Sequence, residues 1–100
     1  MKKIINGLDL TYLKSESLIK EAFNNASRLE EVRLYNLQVS VGFEKSKNLS
    51  NASILCMIEN EIAGNTITIT LHADAYVRAM ADANIVEALA AHTNVTLASA

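Results

Sequence analysis

The chain has one cysteine, three glycines and few aromatics, and each shortage removes a class of chemistry. Cys56 alone cannot close an intrachain disulfide or form a CxxC pair. It falls on an apolar stretch and reads as a buried, reduced thiol behaving as a small hydrophobe. Gly7, Gly42 and Gly64 are too scattered to make a phosphate-cradling loop. His72 and His92 are the only histidines, and neither has the i, i+4 partner that a helical metal site uses. No cofactor and no metal are expected. Charge of one sign is also lacking: nine Lys and Arg against eleven Asp and Glu leave a net −2. Total charge therefore announces no polyanion partner, although local patches remain open. No stretch approaches the ~18 apolar residues of a membrane span. The opening MKKIINGLDLT has two lysines without the apolar run of a secretory signal, so the expected location is cytoplasmic.

What the chain does have is pattern. Residues 53–73, SILCMIENEIAGNTITITLHA, read as a β-hairpin turning at Gly64-Asn65. With that turn, Ile62–Ile67, Asn60–Ile69, Ile58–Leu71 and Cys56–Ala73 share one face. Glu61–Thr68, Glu59–Thr70 and Met57–His72 share the other, and a one-residue slip would put the apolar set in water. Residues 2–6 suggest an edge strand closed by Gly7. Leu18, Ala22, Ala26, Leu29 and Val32 recur at steps of three and four, which predicts a helix over 15–32, with an earlier end near Asn25 as the alternative. From Leu34 the period changes to two through Phe43, which predicts a strand. Lys45 to Asn51 reads as a polar loop. Asp74 is placed to cap a second helix through Ala91 or to add favourable negative charge in its first turn, with Val77, Ala81, Ile85, Ala88 and Leu89 as its stripe.

The order β-α-β-β-β-α predicts an α+β fold. It is a two-layer sandwich with a mostly antiparallel four-stranded sheet and two helices on one face. Residues 1–92 are read as a single domain; the tail 93–100 could add a short strand or fray, and fraying is the favoured expectation. The open sheet face carries Gln38, Ser40, Thr68 and Thr70, either solvated or as a contact surface. Glu59 and Glu61 would be strand neighbours, but nothing supplies a pocket or a nucleophile. No residue set can be given catalytic roles, so the chain is not read as an enzyme, and no small-molecule substrate is expected.

Short strings add a resemblance. IINGLDLT, VSVGFEKSKN, IAGNTITI and Asp74-Ala75-Tyr76 together resemble the ribosome hibernation promoting factor and ribosome-associated inhibitor family. The likeness runs over most of residues 1–92. It implies a translation-inhibiting stress protein seated against rRNA of the small ribosomal subunit, blocking the decoding channel. Lys45 is the family-like basic position; Lys47, Arg78, Lys2 and Lys3 are further candidates for phosphate contacts. The chain departs from the family after Asp-x-Tyr, where Val77, Arg78, Ala79 and Met80 replace the usual Ala-Ala-Ile-Asp. The segment 84–92 also lacks the family's basic residues. The rival reading is a protein-binding module on the same scaffold, dimerising or inhibiting a protein through Gln38, Ser40, Thr68 and Thr70.

The rRNA reading makes a direct prediction. Changing both Lys45 and Lys47 to Glu abolishes ribosome binding while circular dichroism shows an intact fold; unchanged binding removes these lysines from the interface.

Overall fold

The computed structural model describes residues 3–9, 23, 26–61 and 66–100, with the backbone alone for 3–9. The elements run β1 (Lys3–Asp9), β2 (Leu29–Tyr35), β3 (Val41–Phe43), α1 (Asn51–Glu59), β4 (Ile67–Leu71), α2 (Ala73–Met80), α3 (Ala83–Ala91) and β5 (Val95–Ser99). Helices and strands are mixed, as the α+β expectation has it. The strand pairing is different. β1 and β2 form a parallel pair, and β3, β4 and β5 form a separate three-stranded parallel sheet in that order. The expected antiparallel sheet is therefore corrected.

The reason lies in residues 51–59. The expected hairpin arm is helix α1. The Ser50 side chain accepts from the Ser53 N–H, so Ser50 is its N-cap. Ile54, Met57 and Ile58, spaced for one helical face, are fully buried. A short apolar run such as SILCMI fits a buried strand and a buried helix equally by periodicity. Once this segment is helical, β3 and β4 are joined by a crossover rather than a turn. A crossover of this length delivers parallel strands. The proposed turn at Gly64-Asn65 lies outside the described residues.

The same first turn of α1 closes one edge of β2. The Ser53 hydroxyl accepts from the buried Val32 N–H at 2.9 Å, and the Ser50 N–H donates to the Glu30 carbonyl at 2.8 Å. Beyond β2 the chain turns at Asn36, whose φ of 59° lies in the left-handed region that Asn tolerates. Its N–H donates to the Asn60 carbonyl at 2.7 Å, and Leu37 bridges Glu61 in parallel. The single strand expected over 34–43 is thus two pieces at an angle.

Four further expectations are corrected. The predicted helix cannot reach Val32, because Leu29–Tyr35 is strand; its earlier part lies outside the described residues apart from Phe23. Alternating burial of Leu29, Val32 and Leu34 against exposed neighbours suits a strand as well as a helix. The last helix is two helices, because Asp82 caps α3 by accepting from the Asn84 N–H. The break turns the buried face to Ala75 and Ala79 and leaves Val77 67% exposed. The tail is not frayed: Val95–Ser99 pairs along the whole of β4, with Val95 and Leu97 buried. β1 also extends past Gly7, where the register shifts between Asn6 and Leu8 as at a β-bulge.

The buried side chains form one cluster, from Phe23, Leu29 and Phe43 through Ile54 and Met57 to Ile69, Leu71, Ile85 and Leu97. The Phe23 and Phe43 rings meet at 5.1 Å between centroids. Val41, Ile69 and Leu97 lie in one register row and are evenly spaced in the sequence. Each strand–helix unit therefore advances the sheet by one strand.

Replacing Ser53 by Ala leaves the Val32 N–H buried without an acceptor. Stability falls by about 1–3 kcal/mol, read as a lower urea midpoint with an unchanged slope. An unchanged midpoint would show that this hydroxyl does not hold α1 to β2.

Candidate interaction surface

Alternation along β4 and β5 separates two faces of the sheet. Ile67, Ile69, Leu71, Val95 and Leu97 point into the core with the helices. Thr68, Thr70 and Ala98 are half-buried on the other side, and Thr96 is exposed. The register sets Thr68 beside Thr96, and Gly42, Thr70 and Ala98 in the next row. Every side chain in these rows is short, so the face is flat along β4 and β5. A Cβ on Gly42 would come within 2.9 Å of Glu44 Cδ. The Glu44 carboxyl therefore lies over Gly42 in the space a larger residue would fill.

The sequence-predicted face residues divide accordingly. Ser40, Thr68 and Thr70 come together: the Ser40 hydroxyl accepts from the Thr68 N–H at 2.9 Å, extending the ladder beyond β3. Gln38 is half-buried and lies outside the paired strands. Thr96 and Ala98 were missed because their segment read as a frayed tail. The Val95-x-Leu97 alternation that mirrors Ile67-x-Ile69 was the available signal.

The basic residues are partly gathered. Lys45 and Lys47 are exposed in the turn after β3. Arg78 on α2 donates through Nη1 to the Leu49 carbonyl at 3.1 Å and through Nη2 to the Lys47 carbonyl at 2.6 Å. Its guanidinium thus holds the loop that carries both lysines. Ser46, fully buried, fastens the same loop from the other side by donating to the Ala26 carbonyl at 2.7 Å. The backbone of Lys3 lies in β1, and Lys2 is outside the described residues.

The remaining polar residues have structural partners. His72 is the N-cap of α2, its Nδ1 accepting from the Asp74 N–H at 3.0 Å. Of the two places expected for Asp74, it takes the first turn and not the cap. His92 is the C-cap of α3, and its Nδ1 lies 3.3 Å from Glu61 Oε1. Asn94 donates to Glu61 Oε2 at 2.9 Å. Glu59 and Glu61 are not strand neighbours, since Glu59 ends α1 on the surface while the Glu61 side chain is only 2% exposed. No local sequence signal joins Glu61 to His92 and Asn94; only the fold does. Cys56 is buried on α1. Among the described residues no group of histidine, cysteine and acidic side chains is arranged to hold a metal. No described helix is long and apolar enough to cross a membrane.

No protein-family model matches the chain, and neither a curated protein nor a solved structure is detectably similar to it.

Arg78→Ala releases the loop. Because Arg78 is exposed, the stability loss is modest, about 1 kcal/mol. Hydrogen-exchange protection over residues 46–49 drops more than protection in β4. Uniform loss across the chain would contradict a local clamp.

Proposed function

We propose that this protein is a non-enzymatic cytoplasmic interaction module that binds a protein surface through the open face of the β3–β4–β5 sheet. A second copy of the chain is the simplest partner. The observation that carries this reading is the make-up of that face. Thr68, Thr70, Thr96 and Ala98 present hydroxyls and methyls, with the helices packed from the opposite side. Ordering threonine and alanine side chains on binding costs little entropy compared with long charged ones. Stacked strand–helix units in repeat architectures use extended surfaces of this kind for recognition.

A second reading rests on the basic loop. Lys45 and Lys47 are exposed, and Arg78 is bound to their loop. Together with the resemblance to hibernation factors, this supports phosphate contacts on rRNA of the small subunit, where the domain would block the decoding channel sterically. The two readings respond differently to salt. Phosphate contacts weaken steeply, by about 0.9 log units per contact for each tenfold rise in salt on a duplex, whereas a neutral sheet face is nearly insensitive.

Sedimentation equilibrium from micromolar to millimolar protein tests the first reading. A concentration-dependent dimer lost in the Thr70→Lys, Thr96→Lys double variant supports it. A monomer throughout rejects self-association. Co-sedimentation with isolated small subunits at low and moderate salt tests the second: salt-sensitive, stoichiometric pelleting supports it, and absence from the pellet at both salts rejects it.

A further inference from the structure

β5 is an outer strand of its sheet, since the order is β3-β4-β5. Two bonds at its ends fix which way its backbone groups point. The Asn94 carbonyl accepts from the Ile67 N–H at 2.9 Å, and the Ala100 N–H donates to the Leu71 carbonyl at 2.8 Å. In a parallel ladder alternate residues turn both backbone groups to the same side. Thr96 and Ala98 therefore face β4, as Asn94 and Ala100 do, and Val95, Leu97 and Ser99 turn theirs to the outer edge. The Val95 N–H is taken by the His92 carbonyl at 3.0 Å. The Val95 carbonyl and both backbone groups of Leu97 and Ser99 have no partner among the described residues.

The edge of β2 is closed by Ser50 and Ser53, but no described residue closes the edge of β5 in that way. Strand edges are commonly blunted by lysine, proline, a bulge or shortness. Val95–Ser99 has no charge and no proline, and its register with β4 is unbroken over all five residues. Its core side is also incompletely covered: Leu97 is 8% exposed where Ile69, beside it in the register, is 0% exposed.

Donors and acceptors spaced two residues apart along an edge select an extended strand as the partner. Turned antiparallel about Leu97, this edge complements itself. Leu97 exchanges both bonds with Leu97 of a second copy, and the Ser99 N–H reaches the Val95 carbonyl of that copy. Thr96 then lies opposite Ala98 in the closer, non-hydrogen-bonded position, where short side chains fit. No like charges meet, and the two leucines cover each other on the core side.

We propose that the outer edge of β5 pairs antiparallel with the same edge of a second copy of the chain, around a two-fold axis at Leu97, so that two three-stranded sheets become one. The surface is distinct from the open sheet face, and the proposal does not rest on that reading. A five-residue strand is short, so the dimer belongs with weak interfaces of less than about 1,200 Å².

The experiment compares the full chain at dilute and millimolar concentration by sedimentation equilibrium and amide hydrogen exchange. A dimer at high concentration, with exchange of the Leu97 and Ser99 amides slowed more than that of Thr96 and Ala98, supports the pairing. In a mixture of labelled and unlabelled protein, an α-proton contact between Thr96 of one copy and Ala98 of the other confirms the antiparallel register. Ser99→Pro, at an exposed strand end, removes one outward donor from each copy and weakens the dimer about 10–30-fold. Thr70→Lys, on the open face of the central strand, leaves it unchanged. Circular dichroism checks that both variants fold, and the exchange measurement on the unaltered chain stands without them. A monomer at every concentration overturns the proposal. So does a dimer whose Leu97 and Ser99 amides exchange as in the monomer. A dimer lost in Thr70→Lys and kept in Ser99→Pro also overturns it, and assigns association to the open face instead.

Discussion

The contact between the first turn of α1 and the edge of β2 governs the rest of the structure. An edge strand whose N–H and C=O groups face a neighbour without partners is costly to bury. Here two serines one helical turn apart meet that need: Ser53 accepts from Val32 and the Ser50 backbone donates to Glu30. Ser50 also caps the helix, and its hydroxyl lies 2.8 Å from that of Ser53. One short segment therefore starts a helix and terminates a sheet. That is why β2 stays with β1 and why β4 finds its partners in β3 and β5.

Once that edge is closed, the remaining chain has a simple path. From β3 it crosses through α1 to β4, and from β4 through α2 and α3 to β5. Both connections are long enough for parallel pairing. The helices supply one wall of the core, with Ala75, Ala79 and Ile85 in the same buried cluster as Ile69 and Leu97. Small alanines let the helices approach closely. The opposite sheet face is left with threonine and alanine along β4 and β5. The candidate sheet face is a consequence of this layering.

Much of the layout was legible where a residue's local preference agreed with its environment. The ITITL alternation is a strand whose buried positions are Ile67, Ile69 and Leu71, as the period of two requires. The alanine-rich stretch near the C-terminal end is helical, Cys56 is buried, and Ser40, Thr68 and Thr70 do meet. The misreadings fall where local preference was undecided. SILCMI is apolar at every position after Ser53, so its burial said nothing about its period. LEEVRLYNLQV carries apolar residues that satisfy both helical and strand spacing until Asn36 breaks the run.

The sequence by itself determined that Cys56, Ile67, Ile69 and Leu71 avoid water and that the chain turns to polar loop after Phe43. Those follow from side-chain type and neighbours a few positions away. Only the tertiary structure decided the parallel pairing, the repair of the β2 edge by Ser53, and the meeting of Glu61 with His92 and Asn94. Each of these joins groups separated by 20 residues or more. Hydrogen-bond partners at that separation are chosen by how whole elements pack, because a backbone group accepts any suitable donor or acceptor that packing brings into reach.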